Sequence, residues 1–112
     1  MDNCIFCKII KGEIPCKKIY ENDTIFAFDD INPVAPVHVL VVPKAHIPTI
    51  MDVKEKQIMD ELLFAVQEVA KIKGIDEKGF RTLINCNKDG GQVIYHLHAH
   101  VIGGGKIDTS KI

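Results

Sequence analysis

His96, His98 and His100 occupy alternate positions of the run GGQVIYHLHAHVIGGG (90–105), so three of the chain's five histidines fall within five residues. In an extended strand successive side chains point to opposite faces, which puts the three imidazoles on one face and Leu97, Ala99 and Val101 on the other. The rungs of such a ladder lie roughly 6.5 Å apart, so neighbouring rings can reach one substrate group or one metal ion. Two chemistries use this arrangement. His-x-His on a strand can give zinc two ligands, with a third from elsewhere and an open position for an activated water. Alternatively, a neutral imidazole attacks an electrophile such as phosphorus while its neighbours set its tautomer, stabilise anionic oxygens or protonate the leaving group. The segment before the ladder, Asp89-Gly90-Gly91-Gln92, favours the second: glycines let the backbone approach a ligand closely, and exposed amides beside a Gly pair suit a phosphate.

A second group with metal-binding potential is Cys4-x-x-Cys7. Two thiolates at this spacing can share a tetrahedral ion, but a closed site needs two more ligands, and histidines are the residues in excess. The other reading is a pair of half-buried thiols with no metal. Cys16 and Cys86 have no spacing partner and read as structural.

These residues must be positioned by a small scaffold. A chain of 112 residues predicts a single domain over 1–112. With 46% hydrophobic residues, 26% charged and a net charge of −1, no nucleic-acid or membrane surface is expected. No apolar run approaches the ~20 residues of a membrane span, and Met1-Asp2-Asn3-Cys4 lacks the basic start of a secretory signal. A cytoplasmic location is expected, where cysteines serve as thiols or metal ligands rather than disulfides. Ile5, Phe6, Ile9 and Ile10, followed by Gly12, predict a short first helix. A long helix is predicted over 52–73, capped by Asp52 with Glu55 three residues on, striped by Ile58, Leu62, Ala65 or Val66 and Val69, and closed by Gly74. Residues 24–31, 37–44, 80–87 and 92–104 read as strands, the last two as a hairpin turning at Asp89-Gly90-Gly91. The fold class is α+β: an antiparallel sheet of about five strands with one long and one short helix.

The segment His96-Leu97-His98-Ala99-His100-Val101-Ile102 resembles the signature of the histidine triad (HIT) family of nucleotide hydrolases and transferases, in which three histidines alternate with apolar residues. Cys4 to Pro15, Phe28 to Pro33, Pro36 to His46 and the spacing of Asn85 to Gln92 are similar to the branch containing the purine nucleoside phosphoramidases. The resemblance implies hydrolysis of adenosine 5′-phosphoramidates through a covalent nucleotidyl-histidine intermediate. A dinucleoside polyphosphate hydrolase, or a regulatory protein that binds nucleotide without turnover, is the alternative.

It implies that His98 is the nucleophile and that His100 contacts phosphate and leaving group. His96 and His38 complete the catalytic histidines, and Asn85 with the amides around Gly91, Gln92 and Val93 holds phosphoryl oxygens. Asp30 would accept the ribose hydroxyls, and Ile5, Phe6, Ile9, Phe28, Ile31 and Leu40 would enclose the base of a purine nucleotide. The chemistry requires no metal. A structural zinc on Cys4, Cys7, His46 and His96 is nonetheless implied, as is a homodimer. A histidine bonded to zinc has no lone pair for attack, so His96 as ligand and His98 as nucleophile do not compete. At Val93, where several relatives have serine, this chain has no hydroxyl, which leaves the leaving-group preference open.

Overall fold

The computed structural model describes residues 3–108 and Ser110. Five antiparallel strands form one sheet in the order β1-β2-β3-β5-β4: β1 (Lys18–Glu21), β2 (Ile25–Asp29), β3 (Val37–Pro43), β4 (Phe80–Leu83) and β5 (Ala99–Gly103). Two helices complete it, α1 (Ile5–Ile10) and α2 (Lys56–Ile72). Among the described residues no helix is long and apolar enough to cross a membrane.

Both faces of the sheet are covered, which is why the central strands read as continuous apolar runs rather than alternating ones. On one face Ile25, Ala27, Val39, Val41, Leu97, Ala99 and Val101 pack with Leu62, Ala65, Val66 and Val69 of α2. The predicted helical stripe is the stripe that is buried. The opposite face carries Phe26, Phe28, Leu40 and Val42, covered by Phe6 and Ile9 of α1. His98 and His100 belong to this second face by strand alternation, and Leu40 sits directly across from His100 in the β3–β5 pairing.

The observed elements differ from the predicted ones in the start of the long helix, an added strand and the β4–β5 connection. The long helix begins at Lys56 after an N-cap at Glu55, because the Asp52 carboxylate is already committed to Thr49. The two form a reciprocal capping box on a separate turn of 3-10 helix, Ile50–Asp52. Strand β1, which the apolar pattern does not signal, is a short edge strand whose residues are exposed or only half-buried. β4 and β5 do pair antiparallel, but they are joined by residues 84–98 rather than by a tight hairpin. Only His100 of the triad therefore lies within a strand; His96 and His98 sit in the extended approach to β5.

Candidate active site and adjoining metal-ligand cluster

The connection 84–98 is shaped from its own side chains. The Gln92 carboxamide accepts from the Asn87 amide at 2.9 Å and donates to the backbone oxygens of Pro48 and Ile94 at 2.8 and 3.1 Å. It is buried. The Gly91 and Gln92 amides donate to the oxygens of Lys88 and Asn87, both at 3.0 Å, so they are spent inside the turn. This corrects the expectation that Gly91 and Gln92 offer free amides to a phosphate. Gly90 has a packing reason instead: a Cβ there would lie 2.4 Å from the Cys86 backbone oxygen. Gly91 holds a positive φ of 82°, the conformation that favours glycine.

His98, His96 and His38 each meet a different backbone partner, and the partner decides the tautomer, since a carbonyl can only accept and an amide only donate. His98 Nδ1 lies 2.7 Å from the His96 backbone oxygen, so its proton is on Nδ1 and its Nε2 carries the lone pair. His96 Nε2 lies 2.8 Å from the Pro43 oxygen, so its proton is on Nε2 and its Nδ1 carries the lone pair. His38, on β3, accepts from the Val34 amide at Nδ1, 3.2 Å away, which leaves Nε2–H to donate. That Nε2 is 2.9 Å from His100 Nδ1 and 3.5 Å from Asp30 Oδ2. His100 must then carry its own proton on Nε2, a buried atom with no hydrogen-bond partner among the described residues. The three rings of the triad are chemically inequivalent.

Burial pushes His96 and His98 below the ordinary histidine range. For His100, burial first, then His98 and His38 beside it, depress the pKa from 6.5 to about 4. All three are neutral near pH 7, as a nucleophilic or metal-ligating imidazole must be.

His98 and His100 open on a cleft of about 180 Å³ lined also by Phe6, Asp30, Leu40, Asn85, Gly91, Val93 and Ile94. Ile94 was not anticipated; its place in an apolar run hides it. Of the residues expected around a base, Phe6 and Leu40 line the cleft. Phe28 and Ile9 are buried behind it in the core, Ile31 is 86% exposed, and Ile5 faces a neighbouring hollow of about 390 Å³ with Cys4, His46, Val93, Ile94 and Tyr95. Gln92 does not line the cleft. Phe6 meets His98 edge-on, ring centroids 5.1 Å apart.

On the other side of Phe6, Cys4, Cys7, His46 and His96 bring four ligand atoms within 4.8 Å of one another. His96 Nδ1 is 3.3 Å from Cys4 Sγ and 3.6 Å from Cys7 Sγ, and His46 Nδ1 is 3.3 Å from Cys7 Sγ. Tetrahedral zinc with bonds of about 2.0–2.3 Å spaces its ligands on the order of 3.3–3.8 Å apart. The donor set fits such an ion, and the His96 lone pair already points into the group. Without an ion, burial and then the neighbouring Cys4 push the Cys7 thiol up.

A family model described as HIT domain matches residues 11–107. The chain is 41% identical over 105 residues to the purine nucleoside phosphoramidase of Escherichia coli, covering 92% of this chain and 88% of that one. It is 44% identical over 105 residues to protein HitA of Neisseria gonorrhoeae, covering 92% and 97%. Among solved structures, a HIT family hydrolase from Clostridium thermocellum superposes with a TM-score of 0.95 at 43% identity, covering 100% of this chain and 99% of that one.

Proposed function

The chain belongs to the HIT domain family, and on that premise we propose that it hydrolyses purine nucleoside 5′-phosphoramidates through a nucleotidyl intermediate on His98. The observation that carries the reading is the set of tautomers. His98 presents an Nε2 lone pair to the cleft because its other nitrogen donates to the His96 carbonyl. The likeness to the Escherichia coli phosphoramidase supports the P–N bond as the target.

In the first half-reaction His98 Nε2 bonds to phosphorus while the P–N bond to the leaving amine breaks. The positive charge that develops on the imidazole is stabilised by the His96 carbonyl dipole at Nδ1. In the second half water bonds to phosphorus, the P–imidazole bond breaks and the nucleoside monophosphate leaves. The amine takes up one proton and the attacking water returns one, so the cycle is neutral in protons. His100, depressed to about 4, holds no extra proton at neutral pH. Its part is a hydrogen bond from the unpartnered Nε2–H to a phosphoryl oxygen or the departing nitrogen. Asn85 and the amide of Val93 are the further donors at the rim, and Asp30 is the acceptor for the ribose hydroxyls.

Cys4, Cys7, His46 and His96 would hold a structural zinc, which when bound cross-links the N-terminal helix to the approach of β5. A homodimer and a cytoplasmic location belong to the same reading; edge strand β4 and the exposed Leu63 and Phe64 of α2 are surface that a second copy can cover. The test is a panel of an adenosine phosphoramidate, an aminoacyl adenylate and a dinucleoside polyphosphate, assayed with wild type and His98→Ala for rate and nucleotide product. Preferential release of AMP from the phosphoramidate, lost in His98→Ala, is expected. Equal rates in the two proteins refute the assignment.

A further inference from the structure

We propose that the Cys4, Cys7, His46 and His96 cluster, with a metal ion in it, is a positioning device for the nucleophile, locking the His96 carbonyl where it keeps the His98 proton on Nδ1. The inference rests on the reading of His98 as the attacking residue.

His96 is fully buried and tied at three points. Its Nδ1 faces the two thiols, its Nε2–H donates to Pro43, and its carbonyl accepts from His98. Residues 96–98 precede β5, so no ladder of strand hydrogen bonds holds the His96 carbonyl. Among the described residues, the backbone tie of that stretch is the Leu97 amide to the Ile47 oxygen at 2.7 Å, which runs to the neighbour of another cluster member, His46. Phe6 stands between Cys4 and Cys7 in sequence and meets both imidazoles edge-on, at 5.8 Å from His96 and 5.1 Å from His98. A six-residue helix such as α1 has too few turns to hold itself in place. Thiol–imidazole contacts are weak hydrogen bonds, whereas four metal bonds would join α1, the 46–47 segment and the 96–98 segment into one rigid unit around the nucleophile.

The experiment compares wild type, His46→Ala and His46→Cys, each purified with zinc and measured for zinc content, for the histidine tautomers by 15N imidazole NMR and for kcat and KM on an adenosine phosphoramidate. Wild type is expected to hold one zinc per chain and to show His98 as a single Nδ1–H tautomer. His46→Ala is expected to lose the zinc, to show a mixture of His98 tautomers and to drop kcat by about 10–100-fold, with KM changing less. His46→Cys keeps four tetrahedral donors and is expected to recover zinc, tautomer and most of kcat. A zinc-free His46→Ala that keeps the Nδ1–H tautomer and wild-type kcat overturns the proposal, as does a His46→Cys protein that binds zinc and recovers neither. Should His46→Ala fail to fold, wild type stripped by a chelator and reloaded with zinc gives the same comparison, and an unchanged tautomer after stripping overturns the proposal. If wild type turns over no phosphoramidate, the functional reading fails while the NMR arm still decides the coupling.

Discussion

His38 Nε2 lies 2.9 Å from His100 Nδ1, and because the other nitrogen of His38 accepts from the Val34 amide, the proton between the two rings belongs to His38. A backbone amide thus dictates, through two imidazoles, that His100 carries an N–H rather than a lone pair at its buried, unpartnered Nε2. Removing His38 frees His100 to adopt the opposite tautomer. His38→Ala is expected to lower kcat by about 10–100-fold, by analogy with other groups that orient a functional imidazole. His38→Gln, whose carboxamide can still donate, should retain more activity than the alanine variant. Steady-state kinetics on a phosphoramidate check both, and an alanine variant as active as the glutamine variant would remove His38 from the relay.

Loss of His98, the nucleophile of the proposed reaction, should be far more severe. His98→Ala and His98→Asn are each expected to reduce turnover by at least about 10³-fold, since removing a covalent nucleophile leaves only binding and electrostatic assistance. Mass spectrometry of wild-type reactions quenched in alkali, where a phosphorus–imidazole bond survives, should find a nucleotidyl group on the chain, absent in either variant.

Stability should depend on pH through His100. Its folded pKa, about 4 against an ordinary 6.5, means that the unfolded chain takes up the proton first as the solution is acidified. Stability is therefore full above about pH 6.5, falls as the pH drops toward 4 and levels off below it, a loss equivalent to about 3 kcal/mol. His98 and His38 beside the ring add to the depression that burial begins, and Asp30 opposes it. Urea denaturation at pH 7 and pH 4.5 should show a larger loss for wild type than for His100→Asn; equal losses would assign the effect to other groups.

Gln92 is expected to act on stability. Gln92→Leu deletes three hydrogen bonds and leaves the Asn87 amide and two carbonyls without that partner, at a cost of about 2–4 kcal/mol. Gly90→Ala drives a methyl group against the Cys86 backbone and should cost about 1–3 kcal/mol. Thermal unfolding monitored by circular dichroism measures both. A Gln92→Leu protein of unchanged stability would mean that the 84–98 connection does not depend on this side chain.

Much of the scaffold was legible because its elements obey simple periods. The α2 stripe repeats at three and four residues, and strands β2 and β3 are apolar along most of their length because both faces are buried. β1 escaped because four residues at a sheet edge bury too little to leave an apolar pattern. The start of α2 was misread because Asp52 looks like a cap for the helix, and only the folded chain shows that Thr49 claims it. The long strand expected through residues 92–104 is shorter, Ala99–Gly103, for a similar reason. Alternation of apolar and polar residues records which way side chains point; it does not record whether a neighbouring strand is there to hydrogen-bond.

The sequence by itself determined which groups are available: three imidazoles on one side of an extended segment, a Cys-x-x-Cys pair, a fourth and fifth histidine, and a carboxylate. Those are properties of residue type and of period-two geometry, and they survive whatever the rest of the chain does. Only the tertiary structure decided what each imidazole is. Pro43, Val34 and the backbone of His96 itself, brought to the rings by strand pairing and by the turn that Gln92 holds, assign the protons, so the same side chain carries a free lone pair at His98 Nε2, an N–H at His100 Nε2 and, at His96 Nδ1, a lone pair facing two thiols.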